Sequence, residues 1–405
     1  MKDISTIHKM ALAGMYRVFD TETSLIEKDF SIYSRTPELV LGVIYEGDTD
    51  KWDVYYNASR MSGALTGGGK PSIIVGHNIT FDLAVLGIDC YRYPNLFFWD
   101  TAVAHYEMCG QRYTFPSLNS VAKYYGLGEK EDAVSEMIKA GIQPKDIDAE
   151  LLSNYCKQDV SLTREIFMHQ VETLYNMHTK NHMRSWQHNR AKLILERLEF
   201  RTRTHDMSMQ GMCVDVELLK KGKHELADLE TVLFHDIKKF MSIKLCEMPE
   251  EYINPDSTQQ LNKVLYGGEY TYLLNRPTGE FYKTGVKAGL PKMRMEKLLG
   301  FNTERVLGPM HDYSKYDTSE ASLKSLLKED LTREWEDFIK GVLTYRKVTK
   351  LKSTYYDSYL DKVVIKNTLL GHDTVGYINC EFKHVITPTG RISSTKPNIQ
   401  NIKGD

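Results

Sequence analysis

Hydrophobic and polar positions change rhythm near residue 180 of this 405-residue chain. Before that point, short runs of β-branched and aromatic residues alternate with helical spacing. Met15–Phe19, Leu39–Tyr45, Trp52–Tyr56, Ser72–Val75 and Asn95–Trp99 are bounded by Gly, Asp or Pro and predict strands. Helical spacing over 101–109, 116–125 and 150–177 predicts three helices. Strands interleaved with helices predict an α/β domain with a mixed sheet. After 185 the pattern turns mainly helical. Leu219, Leu226, Leu229, Leu233, Ile237 and Phe240 form one apolar stripe on a long helix. A further helix is predicted near 256–265, capped around Asp256-Ser257. Residues 266–317 are less regular, and Pro277-Thr278-Gly279 between Tyr-rich flanks predicts a turn or hairpin. Helical spacing resumes over 318–328 and 331–353, then gives way to extended segments near Val363–Ile365 and Tyr377–His384.

Composition narrows the class. The length suits two or three domains. No apolar run approaches a membrane span, and the Met-Lys-Asp-Ile-Ser start lacks a signal-peptide core, so a cytoplasmic protein without membrane contact is expected. The six cysteines are scattered without a C-x-x-C pair, which predicts free thiols. A net charge of −2 excludes a uniformly basic nucleic-acid binder, yet basic residues gather locally. The groups are Arg197, Arg201 and Arg203; Lys220, Lys221 and Lys223; Lys283 to Lys297; and Arg346, Lys347, Lys350 and Lys352. About half of them read as solvated helix faces.

The candidate chemistry lies in carboxylates. Asp20 and Glu22 end the first strand, and a period of two puts both on one face. Neighbouring carboxylates repel, so both stay ionised only with a cation between them. Asp82 closes Gly76-His77-Asn78-Ile79-Thr80-Phe81-Asp82, after a buried strand and at a helix start, where capping is the simpler reading. Tyr155 and Asp159 stand i, i+4 on a helix and share a face. Gly67-Gly68-Gly69-Lys70 is not a phosphate loop, because Ala64 and Pro71 break the pattern.

Four carboxylates and a tyrosine in this order resemble the three exonuclease motifs of the DEDD superfamily in its tyrosine-bearing form. Residues 1–182 thus resemble the ribonuclease H-like 3′–5′ proofreading exonuclease of family A DNA polymerases. Trp99-Asp100-Thr101 and the tract from Ser117 to Gly126 resemble the same family. The resemblance implies two divalent cations, Mg²⁺ or Mn²⁺, of the kind that oxygen ligands hold. It implies that Asp20 bridges both, that Glu22 and Asp159 hold the water-activating one, and that Asp82 serves the other. Tyr155 would orient the attacking water and the scissile phosphate, and His77 and Asn78 would touch the single-stranded 3′ end.

The rest of the chain resembles the same polymerases. Gln210 to Asp215, Ile253 to Leu261, Thr318-Ser319-Glu320 and above all Tyr345 to Tyr355 resemble the thumb, and Thr387 to Ile402 resembles the segment that opens the palm. This implies a helical, DNA-binding thumb over 183–362, an insertion over 267–316, and an incomplete palm over 363–405. Arg346, Lys350 and Ser353 would grip the phosphates of a primer–template duplex. Arg391, Asn398, Gln400 and Asn401 would contact the minor groove. In that family the aspartates holding the polymerase metals lie further on. The expectation is therefore the N-terminal part of a split or truncated polymerase, phage-like in its order (and then in the host cytoplasm). It would not polymerise alone, and would pair with a second chain carrying fingers and palm. The insertion would extend DNA contact or dock a processivity factor. Two alternatives remain: a ribonuclease D-like exoribonuclease, and a DNA-holding subunit without catalysis.

Overall fold

The computed structural model describes residues 3–25, 28–69, 72–112, 114, 116–127, 133–179, 185–281, 290–308, 317–365 and 375–400. The chain divides into two compact units, Met1–Val216 with Asp361–Asp405, and Glu217–Leu360. Among the described residues no helix is long and apolar enough to cross a membrane. All six cysteines are free, with Cys90, Cys156 and Cys380 buried.

The first unit opens with α1 (Ile4–Leu12), capped by Asp3, whose carboxylate accepts the Thr6 N–H at 2.8 Å. Next come β1 (Tyr16–Thr23), β2 (Leu39–Glu46), β3 (Lys51–Tyr55), α2 (Ala58–Thr66), β4 (Ser72–Gly76), α3 (Thr80–Val85) and β5 (Leu96–Asp100). They are followed by α4 (Thr101–Met108), α5 (Leu118–Tyr124), α6 (Ala133–Lys139), α7 (Ala149–Thr179), α8 (Ser185–Gln210) and β6 (Met212–Asp215). The sheet order is β3-β2-β1-β4-β5, antiparallel across β1–β2–β3 and parallel across β1–β4–β5. The five expected strands form this mixed sheet. The patterns over 101–109, 116–125 and 150–177 become α4, α5 and α7. Helices α1, α2, α3 and α6 are additional, each too short to show a repeating stripe.

Alternation along the strands sorts the core onto two faces. Val18, Val43, Ile73, Val75 and Trp99 meet α7 through Leu152, Cys156, Val160 and Phe167. Phe19, Ile44, Ile74 and Phe98 face the other way, against Met61, Leu65 and Leu83 from α2 and α3. Covered on both faces, β4 is buried at every position, as parallel strands between helical layers are. The pinned ends of β1, β4 and β5 therefore offer a rigid rim for polar residues.

The second unit is mainly helical: α9 (Val216–Lys244), α10 (Thr258–Tyr266), β7 (Gly268–Phe281), β8 (Pro291–Asn302), α11 (Glu320–Leu326) and α12 (Arg333–Leu351), which continues as a π-helical turn over Lys352–Asp357. Its core joins Ile237, Met241 and Leu245 to Leu261, Val264, Leu323, Phe338, Ile339 and Val342. Ser257 caps α10, its hydroxyl accepting the Gln260 N–H at 3.3 Å.

Of the turn or hairpin expected around Pro277-Thr278-Gly279, the hairpin is present as β7–β8, but these three residues are not its turn. These residues lie inside β7, where the register shifts between Pro277 and Phe281, and pairing continues to Phe281 opposite Pro291. Proline is tolerated there because a two-stranded ladder has only edge strands. β7 and β8 are antiparallel, and Lys283 and Lys287 lie outside the described residues.

The chain then returns to the first unit through β9 (Val363–Ile365), β10 (Val375–Ile378), β11 (Glu381–Lys383) and β12 (Ser393–Thr395). β10 lies between β6 and β9, and β11 pairs with β12. Buried Glu381 anchors this return, accepting the Ile32 N–H at 3.2 Å and pairing with Lys383 at 2.6 Å.

Candidate active site

Asp20 and Glu22 project from one face of β1, as the period of two requires. Helix α7 crosses this face with Cys156, whose Sγ lies 3.6 Å from Asp20 Oδ2 and 3.5 Å from the Asp20 carbonyl. Ligand atoms of Asp20, Glu22 and Cys156 all fall within 4.8 Å of one another. Burial pushes the Cys156 thiol well above its ordinary pKa, and the nearby charges of Asp20, Glu22 and Asp159 push it the same way. Three carboxylates from β1 and α7 thus bear on one small volume. Tyr155 and Asp159 flank Cys156 on α7, and Asp159 is buried.

Asp82 is placed differently. It is 4% exposed in the first turn of α3, and its Oδ1 accepts the Thr21 N–H at 3.1 Å and the Thr21 hydroxyl at 2.5 Å. Thr21 lies between Asp20 and Glu22, so both bonds tie Asp82 to the stretch of β1 that carries these carboxylates. Burial raises the Asp82 carboxyl to about 7, against the lowering effect of both Thr21 bonds.

Carboxylates at this spacing fit a hard divalent cation, which prefers oxygen ligands. The neutral Cys156 thiol is a poor ligand for such an ion. Asp20 and Glu22, with Asp159 from α7, are the residues suited to hold it.

His77 and Asn78 are committed to the scaffold. His77 is half-buried, and desolvation lowers its pKa, so the ring is neutral. Its Nε2–H donates to the Pro116 carbonyl at 2.8 Å, and its Nδ1 accepts the Thr101 hydroxyl at 2.9 Å. Asn78 sits at φ 57°, its N–H bonded to Asp100 Oδ1 at 2.9 Å and its Oδ1 to Arg201 Nη2 at 2.8 Å. Arg201 is a residue that sequence reasoning missed. The sign was available, because Ile194, Leu198, Arg201, His205 and Ser208 fall on one buried stripe of α8.

Beside this segment, a cavity of about 640 Å³ is lined by His105, Arg112, Pro116, Ser117, Lys123 and Tyr124. Tyr124 is 56% exposed, and its ring meets His105 at 4.8 Å.

Cys90, His205 and Asp206 form a second cluster of potential ligands. Its polar atoms already have partners. Asp206 accepts the N–H groups of Cys90 (2.7 Å) and Tyr91 (3.2 Å), while His205 bonds the Ile88 carbonyl (2.9 Å) and the Tyr33 hydroxyl (3.1 Å). It is a hydrogen-bonded joint between α8 and the chain before β5.

In the second unit, Arg346 is half-buried and donates to the Thr318 carbonyl, whereas Lys350 and Ser353 are exposed. In the C-terminal return of the first unit, Arg391, Asn398 and Gln400 are exposed. Asn398 Oδ1 accepts the Ser394 hydroxyl and the Gln400 N–H, both at 3.1 Å. Asn401 lies outside the described residues.

Residues 295–404 match the family described as DNA polymerase family A. The thermostable DNA polymerase I of Thermus aquaticus is 36% identical over 96 residues, 24% of this chain and 10% of that protein. DNA polymerase I of Chloroflexus aurantiacus is 26% identical over 337 residues, 80% of this chain and 28% of that protein. The chain therefore spans about a tenth to 28% of the length of the curated relatives it matches. Among solved structures, the POL domain of Pol1 from M. smegmatis, in complex with DNA primer-template and dNTP, aligns with a TM-score of 0.58 at 16% identity. That alignment covers 100% of this chain and 55% of the other, a likeness of fold. Residues 295–404 thus resemble a family A DNA polymerase segment, in a chain that over most of its length is similar to bacterial DNA polymerase I.

Proposed function

We propose that the chain is part of a family A DNA polymerase and that its first unit is a metal-dependent 3′–5′ DNA exonuclease serving proofreading. The observation that carries this reading is the convergence of Asp20 and Glu22 on Cys156 of α7, one helical turn from Asp159, at the rim of a mixed sheet. Two divalent cations, Mg²⁺ or Mn²⁺, would supply a water of lowered pKa and positive charge for the departing 3′ oxygen. Asp20, Glu22 and Asp159 hold them, and Tyr155 orients water and phosphate. Asp82 serves the second cation once its carboxyl is ionised. His77 shapes the wall rather than gripping the nucleotide, since both its ring nitrogens are taken, while exposed Asn78, held through its Oδ1, touches the 3′ end. The cavity beside Pro116 suits a single-stranded 3′ end, with Arg112 and Lys123 for phosphates and Tyr124 for stacking.

The helical unit is the thumb, with Lys350 and Ser353 as exposed phosphate contacts and Arg346 shared between its carbonyl partner and the backbone of a duplex. Arg391, Asn398 and Gln400 contact the primer end.

The test uses 3′-labelled single-stranded DNA and RNA with Mg²⁺ or chelator. Metal-dependent trimming of DNA is expected, faster than of RNA. Asp20→Ala with Glu22→Ala abolishes it while leaving the circular-dichroism melting curve in place. Undiminished trimming by that variant removes the assignment, and faster trimming of RNA transfers it to the ribonuclease D-like alternative.

A further inference from the structure

Arg201 is a charged side chain with 6% exposure, and each of its three guanidinium nitrogens has a protein partner. Nε faces Asp100 Oδ2 at 3.3 Å, Nη2 donates to Asn78 Oδ1 at 2.8 Å, and Nη1 donates to the Phe382 carbonyl at 3.1 Å. These partners belong to different elements: the N-cap of α4, the turn between β4 and α3, and β11.

Asp100 divides its two oxygens. Oδ1 accepts the N–H groups of Asn78 (2.9 Å), Ala102 (3.0 Å) and Val103 (3.4 Å), while Oδ2 is left to Arg201. Asn78 is therefore held twice, by its backbone through Asp100 and by its side chain through Arg201. Its φ of 57° lies in the left-handed region, which an L residue occupies only when its surroundings fix it. Asp82 follows four residues later, in the first turn of α3. The turn that Arg201 fixes is the one from which Asp82 reaches Thr21.

We propose that Arg201 is a positioning residue for the carboxylate site, setting the Asn78 turn and so the placement of Asp82, and tying both to β11 of the polymerase-family segment. This rests on the exonuclease reading. A planar fork matches the task, because three acceptors in different directions need several fixed donors, which an ammonium lacks. Nothing in α8 itself requires a buried charge, and a buried ion pair is weak evidence for stability alone.

The experiment compares Arg201→Gln, Arg201→Lys and the double variant Arg201→Gln/Asp100→Asn in the full chain, below the melting temperature of each. The double variant guards against misfolding, since it leaves no unpaired buried charge. Two quantities are read: kcat and KM for DNA trimming across a Mg²⁺ series, and segment-resolved hydrogen exchange. For Arg201→Gln we expect kcat to fall about tenfold or more, as small misplacements of catalytic groups produce. Half-saturating Mg²⁺ should rise, and KM for DNA should stay within about twofold, because Arg201 does not face the substrate cavity. Exchange should rise over 77–83. Arg201→Lys should recover part of the loss, and the double variant should remain slow. Wild-type kcat and Mg²⁺ dependence in Arg201→Gln or in the double variant would overturn the proposal. If the wild-type chain shows no metal-dependent trimming, the exonuclease reading fails on its own. The exchange data then decide alone: a rise confined to 77–83 upholds the positioning role, and a uniform or absent change ends it.

Discussion

Burial holds the carboxyl of Asp82 up at about 7 even though the Thr21 N–H and hydroxyl draw it down. At neutral pH the group is therefore balanced between its two forms, and it is the hydroxyl at 2.5 Å that keeps the neutral form from prevailing. A hydrogen bond to a charged group contributes about 1.5–3 kcal/mol. Thr21→Val removes that donor, keeps the backbone N–H, and preserves the shape of the strand. The pKa of Asp82 then rises further, so ionisation is completed only at higher pH. The Mg²⁺ concentration for half-maximal trimming should increase about tenfold at pH 6.5 and much less at pH 8.5. An equal increase at both pH values would mean that Thr21 acts through packing. What is legible from sequence at this scale is what spacing alone carries: Asp20 and Glu22 on one strand face, Tyr155 and Asp159 one helical turn apart. The nearness of Cys156 to Asp20 is not legible, because it depends on how α7 crosses β1. Arg201 is legible only through the stripe it shares with Ile194, Leu198 and His205, since its charge taken alone suggests solvent.

Elements with one repeated apolar face are the readable ones. α7 and α9 each run for many turns against a single core, so their stripe repeats often enough to be recognised. The β7–β8 hairpin hides itself because neither face is uniformly apolar or polar. One face carries Leu273, Met295, Leu299 and Phe301, all about half exposed or more, and the other turns Tyr270 into the core. Tyr270 lies opposite Gly300, where a Cβ would come within 2.5 Å of the ring. That pairing fixes the hairpin to α10 and its neighbours, so Gly300→Val must displace the ring. The expected cost is about 1–3 kcal/mol, typical of overpacking. It should appear as a lower melting temperature of the helical unit and weaker binding to duplex DNA, with trimming of single strands unchanged. Leu299→Thr, on the exposed face beside it, should stay within about 0.5 kcal/mol of the parent. If both variants melt alike, the Tyr270–Gly300 pairing does not hold the hairpin.

Over the whole molecule, ionisable burial is distributed unevenly. His77, His105, His205 and His384 are all held below their ordinary pKa by burial, and all belong to the first unit. His205 is lowered to about 4 and His384 to about 3, the latter also opposed by the charges of Arg201 and Arg197. A histidine depressed in the fold stays neutral there and takes up its proton only in the unfolded chain. Its stabilising contribution is complete above the ordinary value of 6.5, falls as the pH drops below it, and levels off near the folded value of 3 to 4. Each pKa unit corresponds to about 1.4 kcal/mol, so His205 and His384 together withdraw several kcal/mol between neutrality and pH 4. Acid should therefore loosen Met1–Val216 with Asp361–Asp405 before Glu217–Leu360. Hydrogen exchange at pH 7.5 and 5.0, corrected for the intrinsic rate, should show a larger loss of protection in the first unit. His205→Gln keeps an N–H for the Ile88 carbonyl but cannot titrate, so it should flatten the pH dependence of the first unit alone. A parallel loss in both units, or a pH profile untouched by His205→Gln, would show that the buried histidines do not govern acid stability. If the profile does flatten, mild acid becomes a means of unfolding the nuclease unit while the thumb stays folded.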